Sequence, residues 1–520
     1  MKKILRIDEN VLSLQEAMDF IFARGQWSGV EVSEGCLNRV QRSHFQLLQA
    51  IETGRPIYGV TTGFGDSCHR QIASEKSEEL QRNLVSYLLC GTGAEISRAA
   101  SKATLLFRLK SLCRGYSGVT PELIQTMRMY LERDWVPVIP REGSLGASGD
   151  LIPLAYLARV LQGEGTLDTG RGRRPTQEIL AEAGILPYRL KTKEGLALVN
   201  GTSAMAGLSV VNLNAARFLV ELSSLSTAWL CLAMKGKTDA FGRLVNDRAK
   251  IHPGQSQVAI WIRNALEQEG YRSAPAVDGA IQDRYSLRCA PQVLGPVVDT
   301  LDVVERWVDL EINSTSDNPL IDVDGDFAMG GNFYGGHLSH GMDYLKICLG
   351  HIADLTDRQL AMIIDDKSNR GLPPNLANWN ALSPEERFLH HGLKGLHQSV
   401  SALTSEVMAR TMPNGVFSRS AESHNQDKVS LGMSAAVACA DMTETLFTIG
   451  ALNSVCLAQA LDLRGQKLHG PSSQKLYETV RSAVPFVDRD RALDEGIETL
   501  IKKLKDMAVA QGGIFPHEKT

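Results

Sequence analysis

The sequence predicts a mainly α-helical protein, and three observations carry that expectation. Apolar residues recur at Leu294, Val298, Leu301, Val304 and Val308, and again at Leu338, Met342, Leu345, Leu349 and Ile352. These spacings of three and four put each set on one stripe of a helix that faces a neighbour. The run from Gly432 to Leu461 is apolar on most faces, as a helix inside a bundle is. Strand-like alternation is scarce. Ile57-Tyr58-Gly59-Val60 is one candidate, and Ile321-Asp322-Val323 before Asp324-Gly325 is another, suited to a small hairpin.

From the N-terminus, MKKILRIDENVLSL reaches Asp8 and Glu9 before any long apolar run, so it does not read as a signal peptide. Residues 143–149 form a loop of three glycines and small residues, Gly143-Ser-Leu-Gly-Ala-Ser-Gly149. A buried helix over 151–161 follows, with Asp150 as its expected N-cap and Pro153 in the first turn, where a missing N–H costs nothing. Pro- and Gly-rich stretches at 136–140, 171–175 and 369–374 are too short to be interdomain linkers. Arg171 to Arg174 reads as a solvated basic loop, and His390-His391 as a solvated helix end. Short helices and glycine turns before Gly207 give way to long helices after it. That suggests an N-terminal domain over 1–207 and a helical bundle over 208–520. The stretch from Leu446 to Leu461 is broken by Thr448, Asn453, Ser454 and Gln459, so it reads as a core helix and not a membrane span.

Composition narrows the function classes. Of 520 residues, 43% are hydrophobic and 22% charged, which suits a folded globular chain. Lys and Arg total 55 against 59 for Asp and Glu, a net charge of -4. No basic stripe points to a nucleic-acid partner, and no polybasic block points to a membrane surface. The 9 cysteines are scattered without a C-x-x-C pair, as expected of reduced, mostly buried thiols in a cytoplasmic protein.

The glycine loop carries the chemistry. It opens a helix, as anion sites do. It lacks the lysine of a phosphate-binding Walker loop, and its spacing does not fit a dinucleotide fingerprint. Ala147-Ser148-Gly149 resembles the self-cyclising tripeptide of the aromatic amino-acid ammonia-lyases and aminomutases, the histidine, phenylalanine and tyrosine lyases and their mutase relatives. The resemblance runs through most of the chain in order. Tyr58-Gly-Val-Thr-Thr-Gly-Phe-Gly65 looks like the family's YGVNTGFG loop, with Thr61 in place of the usual Asn. Leu196-Ala-Leu-Val-Asn200-Gly-Thr, Gln282-Asp-Arg-Tyr285-Ser-Leu-Arg288, Asn313-Ser-Thr-Ser-Asp-Asn-Pro319, Gly331-Asn-Phe-Tyr334-Gly and His424-Asn-Gln-Asp427 match further motifs.

The resemblance implies a fumarase–aspartase-like fold with a long central helical bundle. It also implies a homotetramer whose active sites draw on three chains, and the electrophile 4-methylidene-imidazol-5-one (MIO), formed from Ala147, Ser148 and Gly149 without an external cofactor. It makes Tyr58 the base that removes a β-proton, with cations or helix N-termini expected to lower its pKa. Arg288 would take the substrate carboxylate through its bidentate fork, with Tyr285 three residues before it. Asn200, Gln282 and Asn332 would orient the carboxylate and the MIO carbonyl. Phe333 and Asp150 match positions tied to MIO formation. Glu422 and Gln426 match positions near the substrate's amino group and ring. His337 and His340 are spaced to share a metal, but no further ligand pattern completes a site, so none is expected.

The implied reaction is loss of ammonia from a 2-amino-3-aryl acid. A mutase on the same scaffold would return the ammonia to the β-carbon, and a non-catalytic binding protein would lack Ser148, Tyr58 or Arg288, all present here. The resemblance makes Tyr87-Leu88, after Leu80-Gln81-Arg82-Asn83-Leu84, the pair that contacts the substrate ring. Histidine lyases resemble Ser-His at that pair, phenylalanine lyases Phe-Leu and many tyrosine lyases His-Leu. Gln426 stands where histidine lyases carry glutamate. The expectation is tyrosine over phenylalanine, with histidine a poor substrate.

Overall fold

Residues 3–273 and 281–515 are described by a computed structural model, and helices account for most of them. Both apolar stripes fall on helices, Ala290–Ile312 and Gly336–Ile364, and none of the ten stripe residues is more than 8% exposed. Ser203–Ala233 and Gly432–Leu463 are long and apolar enough to cross a membrane. Yet 89% and 83% of their most apolar windows are buried within the protein, as in core helices.

The chain divides into two units, but not at residue 207. The first unit comprises Met1–Asn212, Val304–Asp343 and Pro413–Ala438; the second comprises Leu213–Val303, Tyr344–Met412 and Cys439–Thr520. Gly207 lies inside the helix Ser203–Ala233. Its glycine serves close packing and not a turn: a Cβ there would stand 2.6 Å from Ala100 O and 2.8 Å from Thr104 Oγ1 on the helix Arg98–Cys113.

In the first unit Arg98–Cys113 is the central buried helix, surrounded by Leu14–Ile21, Glu34–Glu52 and Pro121–Glu132. Ser13, Ser33, Ser97 and Thr120 cap the N-termini of these four helices. The strands are short. Lys3–Ile7 pairs in parallel with Trp27–Val32, while Met1 and Lys2 lie outside the described residues. The expected hairpin is present as Leu320–Ile321 with Phe327–Ala328, its turn wider than an Asp-Gly pair and including Val323. The expected strand at 57–60 is a turn instead. Val60 and Thr61 both donate to Ile57 O, at 3.1 and 3.0 Å, while the Thr61 and Thr62 hydroxyls accept the Ile57 and Gly59 amides. The basic loop is also corrected. Arg173 and Arg174 belong to the strand Arg173–Pro175, and they pair with Glu95 and with Glu178 and Glu182.

In the second unit Phe218 stacks on Phe447 with centroids 5.8 Å apart, and Trp229 Nε1 donates to Ser473 Oγ at 3.2 Å. Arg370 and Asp283 form a mostly buried ion pair at 2.8 Å. Asp283 also accepts the Lys237 N–H at 2.7 Å, which fixes the start of the segment leading into the single helical turn Tyr285–Arg288. His390 and His391 lie just ahead of the helix Lys394–Ala409, His391 exposed and His390 half-buried, and both flank Asp490.

Candidate active site

Ala147 and Gly149 are buried and Ser148 is half-buried between them. Gly149 has φ +74°, and a Cβ there would lie 2.1 Å from Gly201 O. No residue with a side chain fits that approach. Gly149 and Gly201 form a parallel bridge, and the Asp150 N–H donates to Gly201 O at 2.7 Å. Asn200 Nδ2 donates to Ser148 O at 3.0 Å, and Gln426 Nε2 donates to Ser148 Oγ at 3.3 Å. The far side of the loop is held by the Ser430 and Leu431 amides, which donate to Gly146 O and Leu145 O, each at 3.3 Å.

Asp150 does not cap its own helix. Its carboxylate accepts the Met205 N–H at 2.7 Å and the Ser144 hydroxyl at 3.3 Å, so it serves the first turn of Ser203–Ala233. Complete burial raises its pKa to about 7, against the lowering effect of those hydrogen bonds.

Tyr58 sits in the turn ahead of the 3₁₀ segment Gly65–His69, and its hydroxyl accepts the Gly65 N–H at 2.8 Å. Glu422 approaches from another segment. Its Oε1 accepts the Asp66 N–H at 2.8 Å and lies 1.9 Å from where a Gly65 Cβ would be. Gly65 has φ +50°, a second position open only to glycine in practice. Glu422, Ser423 and His424 are all left-handed, with φ of +50°, +52° and +66°, inside a turn closed by the Ala421 and Gln426 backbones. Such strain costs about 1–2 kcal/mol per residue and collects at functional sites. It aims both Glu422 and Gln426 at the Tyr58–Ser148 region.

Burial is the largest effect on the Tyr58 phenol and raises its pKa. The Gly65 N–H lowers it, and Glu422 and Cys68 raise it further. The expected lowering by cations is therefore corrected within this chain, where the charged groups acting on the phenol are a carboxyl and a thiol. Tyr87, the last residue of the helix Ser77–Tyr87, is 61% exposed; partial burial of its phenol and then the charges of Tyr58 and Glu422 raise its pKa, so all three groups share one region. Leu88 beside it is 6% exposed.

The remaining expected residues lie on other segments. Gln282, Tyr285 and Arg288 belong to the second unit. There the Arg288 guanidinium lies 4.5 Å from the Tyr285 ring centroid, and Tyr285 is 72% exposed. Asn332 is exposed and donates to Thr315 O at 3.3 Å, with Phe333 half-buried after it. Asn332 lines a cavity of about 660 Å³ with Trp307, Glu311, His337 and His340. His337 packs edge-on to Trp307, and His340 Nδ1 bonds Gly336 O at 2.8 Å.

Sequence reasoning passed over Gln81, which is fully buried. Its Nε2 donates to Gly59 O and its Oε1 accepts the Leu196 N–H, both at 2.8 Å. It thereby ties the Tyr58 turn to the helix Glu194–Val199 that ends at Asn200. The only signal was its place in the Leu-Gln-x-x-Leu stretch.

The family model for aromatic amino acid lyase matches residues 12–482. The chain is 37% identical to the histidine ammonia-lyase of Gloeobacter violaceus, over 92% of this chain and 91% of that protein. It is 36% identical to the tyrosine ammonia-lyase of Cupriavidus metallidurans, over 94% of each. The tyrosine aminomutase of Streptomyces globisporus aligns in structure with a TM-score of 0.89 at 31% identity, covering 98% of both chains. With a match that runs almost end to end and a helical architecture shared with these relatives, the chain belongs to the aromatic amino acid lyase family, carbon–nitrogen lyases with the fumarase–aspartase-like fold.

Proposed function

We propose that the protein is an ammonia-lyase of L-tyrosine and L-phenylalanine, tyrosine preferred, releasing trans-p-coumarate and trans-cinnamate. The observation that carries this reading is the Tyr87-Leu88 pair, of which Tyr87 lies close enough to Tyr58 and Glu422 to feel their charge. Overall identity does not discriminate, at 37% to a histidine lyase and 36% to a tyrosine lyase. Leu88 cannot hydrogen-bond an imidazole, which would lose water without regaining partners. The Tyr87 hydroxyl can meet a para-hydroxyl, and a site built around such a bond rejects the analogue that lacks it.

The tripeptide fits the family's prosthetic group. Closing the ring joins Gly149 N to the Ala147 carbonyl carbon. One water carries off the Ala147 oxygen with the amide hydrogens of Gly149 and Ser148; a second takes the Ser148 hydroxyl and its α-hydrogen. No oxidant is needed. The left-handed Gly149 and the Asn200 grip on Ser148 O support that closure. MIO supplies an electrophile for the substrate amine.

The side chains do the rest. Glu422 faces the ammonium group, Tyr58 Oη takes the β-hydrogen, and Arg288 grips the carboxylate with Gln282, Tyr285 and Asn332 around it. Phe333 and Gln426 flank the MIO loop and the ring. Arg288 lies in a different unit from Tyr58. We assign its contribution to a neighbouring copy in a cytoplasmic homotetramer, where its charge also lowers the Tyr58 pKa.

The test is kcat/KM for tyrosine, phenylalanine and histidine with product identification, for wild type and Tyr87→Phe. Tyr87→Phe is expected to shift preference toward phenylalanine. A wild-type preference for histidine overturns the substrate reading, and a β-amino acid product assigns the mutase outcome.

A further inference from the structure

Arg108 lies on the helix Arg98–Cys113 and is fully buried. Its Nη1 bridges two backbone carbonyls, Asn200 O at 3.1 Å and Ser316 O at 2.9 Å. Gly201 presses against it: a Cβ there would stand 2.0 Å from Nη1 and 2.5 Å from Ser316 O. Asn200 and Gly201 are the residues on which the tripeptide is registered. Asn200 Nδ2 holds Ser148 O, Gly201 pairs with Gly149, and Gly201 O accepts the Asp150 N–H.

Stability alone does not account for an arginine here. Lys193 and Asp317 already form a wholly buried ion pair at 2.8 Å in the same unit, and Asp317 also acts on the Arg108 charge. Arg108 Nε and Nη2 have no partner among the described residues. Burying a guanidinium carries a large desolvation penalty, and an apolar side chain of similar volume often serves a core as well or better. What the guanidinium supplies is one rigid donor set against two carbonyls from distant parts of the chain. Lysine, a point charge on a flexible stem, does not reproduce that geometry.

We infer that Arg108 is a positioning residue for formation of the electrophile: it fixes the Asn200–Gly201 backbone, which holds the Ser148 carbonyl and Gly149 in register for ring closure onto Ala147. This rests on Ala147-Ser148-Gly149 being the self-cyclising segment. Ring closure is a double dehydration without redox change, and Arg108 exchanges no atom with it.

Intact mass and near-ultraviolet absorbance of wild type, Arg108→Lys and Arg108→Gln read the extent of closure. Circular dichroism, kcat and KM are measured on the same preparations. The wild type decides the underlying reading: chains at full residue mass overturn it, and the inference with it. With the wild type two waters light, folded Arg108→Lys is expected to contain a several-fold smaller dehydrated fraction. Its kcat per chain should fall in the same proportion, with KM unchanged. Full dehydration of Arg108→Lys overturns the inference alone. So does loss of folding in both variants, which assigns Arg108 to fold stability only.

Discussion

The Tyr58 hydroxyl accepts the Gly65 N–H at 2.8 Å, yet burial and the Glu422 carboxylate hold its pKa above the usual phenol value. A base in that state needs alkaline solution or an added cation. The acidic limb of kcat/KM against pH should therefore rise with Tyr58 ionisation, and Tyr58→Phe should lower kcat by about 10² or more and abolish that limb. Steady-state kinetics across pH checks both. Asp150 offers a second titration. Its folded pKa of about 7 lies above the ordinary 3.8, so the unfolded chain gives up its proton first. The associated stability is complete below about pH 4, is lost as pH rises to about 7, and is constant above. Denaturant unfolding should show Asp150→Asn gaining on wild type by up to roughly 4 kcal/mol between pH 4 and 7, and no further from 7 to 9. The motifs named the residues that the structure gathers around Ser148, Tyr58 and Glu422; how each is tuned was not readable. Asp150 precedes one helix in sequence and bonds the N-terminus of another in space.

Helices were the readable part of the architecture, because their three- and four-residue stripes survive in any context. The failures came where backbone partners were out of view. Residues 57–60 have a strand's alternation, but the Thr61 and Thr62 hydroxyls capture the amides a strand would need. Gly207 looks like punctuation and is a helix contact. Gly207→Ala should thus act as overpacking and not as helix relief. Alanine favours a helix by about 1 kcal/mol over glycine, but a methyl 2.6 Å from Ala100 O must displace a helix backbone. A net loss of about 1–3 kcal/mol is expected from denaturation midpoints.

At the scale of the molecule, the Ser148–Tyr58–Glu422 cluster belongs to one unit, and Gln282, Tyr285 and Arg288 to the other. The ordered motifs named residues in both units, but a single sequence does not say whether one chain or a neighbouring copy brings them to one site. Complementation does. If Arg288 serves the Tyr58 of a neighbouring copy, co-expressing Tyr58→Phe with Arg288→Ala should restore activity in mixed assemblies. Some of their sites then hold two intact residues. If one chain supplies both residues, every mixed site lacks one of them and activity stays at the level of the separate variants. Purified mixed assemblies, assayed against each variant alone, separate the two cases.

The grip on the glycine loop comes from far downstream: Gln426 bonds Ser148 across 278 residues, and Leu431 holds Leu145. During synthesis at about 5–20 residues per second, Ser148 leaves the ribosome roughly 14–56 s before Gln426 does. Through that interval only the Asn200–Gly201 side holds the loop, so on the proposed reading ring closure waits for the Gln426 and Leu431 side. On that reading an unfinished chain carries an unreactive serine, and only the finished chain meets the cell's free amines as an electrophile.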